Sequence, residues 1–254
     1  MADDGLTCDG FLGGQLRIFQ PAKGYRAGVD PVLLAASVTA RPGDSVLELG
    51  CGVGVAGLCL QSRVGGLDLV GLELQPENAE LARRNASGNG LSMDVVTGDL
   101  SQMPGGLRAR NFDYVIANPP FSLKEWGREI WENDPWGRAQ YGLPPDSYGD
   151  YAFVQHMIAS MAQGGKSRMA VVLPQGALFR KSAEGKIREA LLKERLSRSG
   201  VARHHARRVP PSLQEPRDEF GYARVVVHHE QIGHRQKGSK RPPPHRTANS
   251  PRAT

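Results

Sequence analysis

The sequence predicts an α/β chain with a doubly wound, mostly parallel sheet. Three observations predict it. Short apolar runs alternate with helical periodicity from Ser45 onward. One run ends in a glycine-rich turn, Gly50-Cys51-Gly52-Val53-Gly54, and another ends in Asn118-Pro119-Pro120-Phe121. Strands alternating with helices imply parallel βαβ units, and ligands in such sheets sit outside the carboxyl ends of the strands.

In order along the chain, residues 45–50 read as a short buried strand and 55–62 as the helix opened by the glycine turn. Residues 68–73 (Asp-Leu-Val-Gly-Leu-Glu) are a second strand. The next helix, 76–87, begins at Pro76, whose missing N–H would be unpaired there in any case. Further strands fall at 93–97, 112–117 and 169–174. Residues 149–162 form a helix with Tyr151, Val154, Ile158 and Met161 near one face, and 183–194 a charged amphipathic one. The stretch 122–148 carries Trp126, Trp131, Trp136, Tyr141, Pro144 and Pro145 without clean periodicity. It reads either as a functional loop beside the site or as a lid whose aromatics pack over the sheet.

A chain of 254 residues can bury a full core. No apolar run approaches membrane-spanning length and the N-terminus is acidic, so no membrane partner is expected and a cytosolic location is the default. Cys8, Cys51 and Cys59 have no metal-ligand spacing, and Cys51 reads as a small buried residue. The net charge of +6 is uneven: residues 195–254 hold 13 Lys+Arg against 4 Asp+Glu, while the remainder holds 19 against 22. The natural division is thus a domain over 1–194 and a basic Arg/His/Pro-rich tail over 195–254, expected to be disordered. Within the domain, 1–40 is an N-terminal segment, 41–121 a cofactor half and 122–194 a target-side half.

The two motifs suggest complementary chemistry. Gly50, Gly52 and Gly54 permit a tight turn and close backbone approach to a nucleotide-like ligand. Glu73 ends the second strand, where a carboxylate can accept both ribose hydroxyls. Glu48 precedes the glycines, unlike the simple dinucleotide fingerprint. Asp99 ends the third strand and suits either an adenine amino group or a helix N-cap. In Asn118-Pro119-Pro120-Phe121 the prolines lock the backbone and remove competing donors. The Asn118 oxygen and the Pro119 carbonyl can then accept the two hydrogens of a planar –NH2, and Phe121 can stack on the ring that bears it. Together these features point to methyl transfer from S-adenosylmethionine onto an exocyclic nitrogen.

On these residues the chain resembles the Rossmann-like S-adenosylmethionine-dependent methyltransferases that modify adenine N6 in nucleic acids. Residues 11–118 resemble the bacterial tRNA1(Val) adenine-N6 methyltransferases, through Phe11-Leu12-Gly13-Gly14-Gln15-Leu16, Gln20-Pro21, the stretch Gly24 to Leu34, and the glycine and Glu73 motifs. That resemblance implies that the segment holding Tyr25 and Asp30 lies against the methionine end of the cofactor. Residues 118–194 resemble the modification subunits of type I restriction systems, through Asn118 to Ser122, Tyr141 to Pro145, Gly149-Asp150-Tyr151-Ala152-Phe153, Val171 to Gly176 and Gly185 to Arg188. That half implies DNA as substrate and a separate specificity subunit as partner; the cofactor half implies tRNA.

Both families continue with strands that complete the sheet. Here only Tyr222 to Val227 looks strand-like, so the sheet is expected to be incomplete at its C-terminal end. The tail reads either as a source of phosphate contacts or as an appendage, such as the product of a shifted reading frame. Two rival readings stand beside the adenine one: an N5-glutamine protein methyltransferase, which uses a related Asn-Pro-Pro motif, and an inactive truncated or hybrid protein.

Overall fold

Every apolar run from Ser45 to Pro174 forms a strand, and its alternate side chains enter two different cores. The computed structural model describes residues 5–162, 166–198 and 223–228. The elements are β1 (Leu6–Phe11), β2 (Leu16–Pro21), α1 (Asp30–Ser37), β3 (Ser45–Leu49), α2 (Val55–Val64), β4 (Asp68–Glu73), α3 (Pro76–Gly88) and β5 (Asp94–Thr97). There follow α4 (Gly105–Arg108), β6 (Tyr114–Ala117), α5 (Arg128–Trp131), α6 (Asp150–Ser160), β7 (Arg168–Pro174), α7 (Ser182–Arg198) and β8 (Ala223–His228).

The main sheet has the order β5-β4-β3-β6-β7-β8, and every pairing in it is parallel. On one face Val46, Leu69, Tyr114, Ile116, Ala170 and Val172 pack with Leu34, Leu58 and Ala82 from α1, α2 and α3. On the other, Leu47, Leu49, Leu72, Val115, Ala117 and Val171 pack with Tyr151, Val154 and Met157 of α6 and Ile187 of α7. A strand buried on both faces needs apolar residues at every position, which is why these segments read as continuous runs. Each fully buried leucine contributes about 1.5–3 kcal/mol. The strand order reverses between β3 and β6, where Leu49 pairs with Ala117. Gly50 and Asn118 therefore leave the sheet side by side.

Three features differ from the sequence expectation. First, β1 and β2 form an antiparallel hairpin separate from the main sheet. The outer edge of β2 is met by two side-chain amides, Asn85 in α3 and Asn89 just past its end. Asn85 accepts from the Phe19 N–H at 2.8 Å and donates to the Phe19 carbonyl at 3.1 Å; Asn89 does the same with Arg17 at 2.9 and 2.8 Å. Second, α7 runs to Arg198, through the boundary expected at 194/195. Third, β8 pairs with β7 from Met169↔Ala223 to Pro174↔His228, so a sixth strand lies at the edge expected to be incomplete. The rest of the basic tail, with its expected disorder, lies outside the described residues.

Asn85 also donates to the Val53 carbonyl in the glycine turn at 3.0 Å, and the residue is 1% exposed. Asn85→Ala strips three backbone groups, two at half-buried Phe19 and one at buried Val53, of their partner. It is expected to cost about 2 kcal/mol in urea denaturation; a loss below about 0.5 kcal/mol would refute this anchoring role.

Candidate active site

The carboxyl ends of β3, β4, β5 and β6 open into one cleft of about 1180 Å³. The glycine turn forms its floor. Gly50, Gly52 and Gly54 have φ of 68°, 55° and 87°, left-handed values that disfavour any side chain. Their surroundings differ. A Cβ at Gly50 or Gly52 would meet nothing within 4 Å, whereas one at Gly54 would lie 3.4 Å from Ala82 and Leu58. Gly50 and Gly52 thus leave room for a ligand. Gly54 is less open: Ala82 and Leu58 stand in contact distance of where its Cβ would be, so it lets α2 and α3 pack closely.

Glu73 is fixed through both oxygens, accepting from the Gly52 N–H at 2.8 Å and the Gln75 N–H at 3.0 Å. It is 7% exposed and borders the cleft. Asp99 also faces the cleft, and its Oδ1 accepts from the Ser101 N–H at 2.7 Å. The cap expected there closes a turn rather than a helix.

Glu48 reaches under the turn and accepts from the Gly57 N–H of α2 at 2.8 Å. A Cβ at Gly57 would lie 2.6 Å from that carboxylate oxygen, so only glycine leaves the approach open. Burial pushes the Glu48 carboxyl up, the Gly57 amide pulls it back and the Glu73 charge pushes it up again, to a net value of about 8. Its folded pKa is raised, so its contribution to stability is whole below the ordinary value of 4.5 and is lost as the pH rises to about 8. Glu48→Gln keeps an acceptor and carries no charge. At pH 9 it is expected to exceed the wild type in denaturation stability by about 2 kcal/mol, with a flatter pH profile; a slope equal to that of the wild type would rule this out. Cys51 is buried against Gly71, and burial raises its thiol well above the ordinary range. It fits the reading of a packing residue.

At the end of β6, Asn118 is half-buried, Pro119 buried, Pro120 exposed and Phe121 half-buried, and all four border the cleft. Asn118 Nδ2 donates to the Tyr25 hydroxyl at 3.3 Å. This bond commits the amide nitrogen and leaves Oδ1 as the acceptor. Tyr25 comes from the loop after β2. Within that region Gln20 accepts from the Ala27 N–H at 2.8 Å and donates to Asp9 at 3.0 Å, and Asp9 also pairs with Arg26 at 2.6 Å. Asp30, the first residue of α1, borders the same cleft.

The sequence did not single out several residues here. Leu74 follows Glu73, is 61% exposed and lines the cleft; an apolar residue just beyond a strand-ending acid was the available signal. The 122–148 loop also lines the cleft, through Trp126, Trp131 and Arg138. Arg138 is 2% exposed and lies over the rings of Trp131 and Trp136 at 4.7 and 4.4 Å. It donates to Asp134 at 2.8 and 2.9 Å, to the Leu100 carbonyl at 3.0 Å and to His156 Nδ1 at 3.1 Å. Burial and then the Arg138 charge push His156 down to about 3, so it stays neutral, with Nε2 toward the Met103 sulfur at 3.3 Å. The two readings of this loop merge: its aromatics pack around Arg138, and the same residues wall the cleft.

The family model described as N-6 DNA Methylase matches residues 32–202, most of the chain. The chain belongs to the N-6 DNA methylase family. It is 31% identical over 145 residues to the type I restriction enzyme HindI methylase subunit of Haemophilus influenzae, covering 56% of this chain and 32% of that protein. It is 34% identical over 124 residues to a tRNA1(Val) (adenine(37)-N6)-methyltransferase of Porphyromonas gingivalis, covering 46% of this chain and 49% of the relative. The crystal structure of a type I restriction-modification methyltransferase subunit from Streptococcus thermophilus superposes with a TM-score of 0.57 at 30% identity, over 67% of this chain and 38% of the other. The fold is thus the Rossmann-like methyltransferase fold, and both resemblances read from the motifs are found. The family match spans residues 32–202 and so lies on both sides of Asn118. That likeness therefore reaches into the cofactor half. The chain spans about a third of the length of the restriction-type relatives it matches.

Proposed function

We propose that the chain is an S-adenosylmethionine-dependent methyltransferase acting on adenine N6 in nucleic acid, with DNA as the favoured substrate. The observation that carries this reading is the meeting of the two motifs: Asn118 leaves β6 beside Gly50 of β3, over one shared cleft. The cleft suits the cofactor. Space above Gly50 and Gly52 admits its body, the Glu73 carboxylate is set to accept from a ribose, and Leu74 offers an apolar face to a planar ring. Asp99 stands at the adenine end, and Tyr25, Asp30 and Glu48 at the methionine end.

When bound, the cofactor supplies an electrophilic methyl group. Asn118 Oδ1 and the Pro119 carbonyl accept from the two amine hydrogens and turn the nitrogen lone pair toward it. Pro119 and Pro120 stiffen the clamp, and Phe121 stacks on a base taken out of its helix or loop. Positioning and fixed dipoles then do most of the catalysis.

DNA is favoured because the matching family model, N-6 DNA Methylase, covers residues 32–202 and thus both halves of the domain. The domain, read from the sequence as 1–194, takes in the rest of α7 to Arg198 and β8 at the sheet edge, and a specificity subunit is the partner that a type I-like subunit would take. Among the described residues no helix is long and apolar enough to cross a membrane. The tRNA reading stands second, on the similarity of the cofactor half to the tRNA1(Val) enzymes.

The test is transfer from radiolabelled S-adenosylmethionine to denatured genomic DNA, duplex DNA, total tRNA and release-factor protein. Label in DNA as N6-methyladenine is expected. Label in tRNA alone would move the substrate, and label in protein alone would end the adenine reading.

A further inference from the structure

The chain that leaves the Asn118 motif is held by a residue outside it. Ser122 has φ 53°, a left-handed conformation that strains a non-glycine residue and persists only where its surroundings impose it. Its N–H donates to Asp150 Oδ1 at 3.0 Å. Asp150 is the first residue of α6, and its side chain is fully buried. Its other oxygen receives Arg180, which also grips Glu184, itself 2% exposed, through Nε and through Nη2 at 2.9 Å. The Arg180 guanidinium lies 4.2 Å from the Tyr148 ring centre. A second tie supports the first: the Gly149 N–H donates to the Leu123 carbonyl at 2.9 Å, with Trp126 packed where a Gly149 Cβ would stand.

We propose that Asp150 is a positioning residue for the amine clamp. One carboxylate oxygen fixes the backbone at Ser122, and through it the Pro119 carbonyl and the Phe121 ring. Arg180 and Glu184 hold the carboxylate from behind. A charge-assisted bond to a backbone N–H is about twice as strong as a neutral one, which suits a tether that must hold a strained residue. The arrangement also joins three loops at the carboxyl edge, those after β6, before α6 and after β7. The proposal rests on the reading of Asn118 to Phe121 as the clamp.

The test compares wild type, Asp150→Ala and Asp150→Asn as the full chain. Hydrogen exchange of peptides spanning 118–123 is measured by mass spectrometry, beside kcat and KM for transfer to denatured DNA. Affinity for S-adenosylhomocysteine is measured by calorimetry. Asp150→Ala is expected to speed exchange at Phe121 to Leu123 by at least about tenfold. It should lower kcat/KM by about 10²-fold and leave the calorimetric Kd within about twofold. Asp150→Asn keeps an oxygen for the Ser122 N–H and is expected to recover most of both losses. Unchanged exchange in Asp150→Ala, an intact kcat/KM, or an Asn variant no better than Ala would overturn the proposal. A wild type that labels no nucleic acid would instead overturn the functional reading, and the exchange comparison would still decide what Asp150 holds.

Discussion

Asn118→Ala is expected to lower kcat for methyl transfer by at least about 10²-fold while cofactor affinity stays within about twofold. The side chain sits at the end of β6, beside the glycine turn but not part of it. Losing it removes one of two acceptors for the target amine and leaves Gly50, Gly52 and Glu73 untouched. Asn118→Asp retains an acceptor oxygen and loses the donor to the Tyr25 hydroxyl, so it separates the two functions of the amide. Tyr25→Phe removes only the acceptor that orients Asn118 and is expected to cost about tenfold. The checks are labelled-methyl transfer to denatured DNA and calorimetry with S-adenosylhomocysteine. Full activity in Asn118→Ala would refute the clamp.

Arg138→Met is expected to destabilise the domain by about 3 kcal/mol, because it leaves the buried Asp134 carboxylate without its cation. Both side chains are 2% exposed. Burial pushes the Asp134 carboxyl up, and the hydrogen bonds and charge of Arg138 outweigh it and bring the group below its ordinary value. With a depressed folded pKa, the contribution of Asp134 is whole above its ordinary value and is lost as the pH falls through the folded one. The gap between variant and wild type should therefore be largest near neutrality and shrink in acid. Arg138→Lys should rescue little, since a compact ammonium cannot serve Asp134, His156 and the Leu100 carbonyl together while also lying over the Trp131 and Trp136 rings. The carbonyls of Leu100 and Ser101 also accept from Arg138, at 3.0 and 3.3 Å, so the loop carrying Asp99 loosens with it. Cofactor affinity is expected to fall about tenfold. Urea denaturation at pH 3 and pH 7 reads the first effect and calorimetry the second; a pH-independent gap would sink the account of Asp134.

How much of this could be read beforehand follows from burial. Strands β3 to β7 are apolar on both faces, so their positions show directly in the sequence. The residues at their carboxyl ends, Gly50, Glu73, Asp99 and Asn118, were legible for the same reason: the strand locates them. The hairpin was not. Gln20 occupies a fully covered position in β2, and the groups that hold the hairpin, Asn85 and Asn89, lie some 70 residues away, on α3 and just past its end. Arg138 escaped notice because a charged residue in an aperiodic stretch looks solvated, and only three-dimensional contacts reveal its burial. Gly54 shares its spacing with Gly50 and Gly52, yet the space around it serves helix packing. Asp150 was visible as part of a family-like string, but its tie to Ser122 spans 28 residues.

The two amides that meet β2 have a consequence for the chain among its own copies. A two-stranded ribbon normally leaves a row of backbone donors and acceptors that a second molecule can extend into a shared sheet. Asn85 and Asn89 occupy those groups at Phe19 and Arg17. They act as a false strand that ends the ribbon without offering a further edge of its own. The same contact that seats the hairpin against α3 thereby closes the β2 edge to strand addition, with no need for a charged or proline-broken margin.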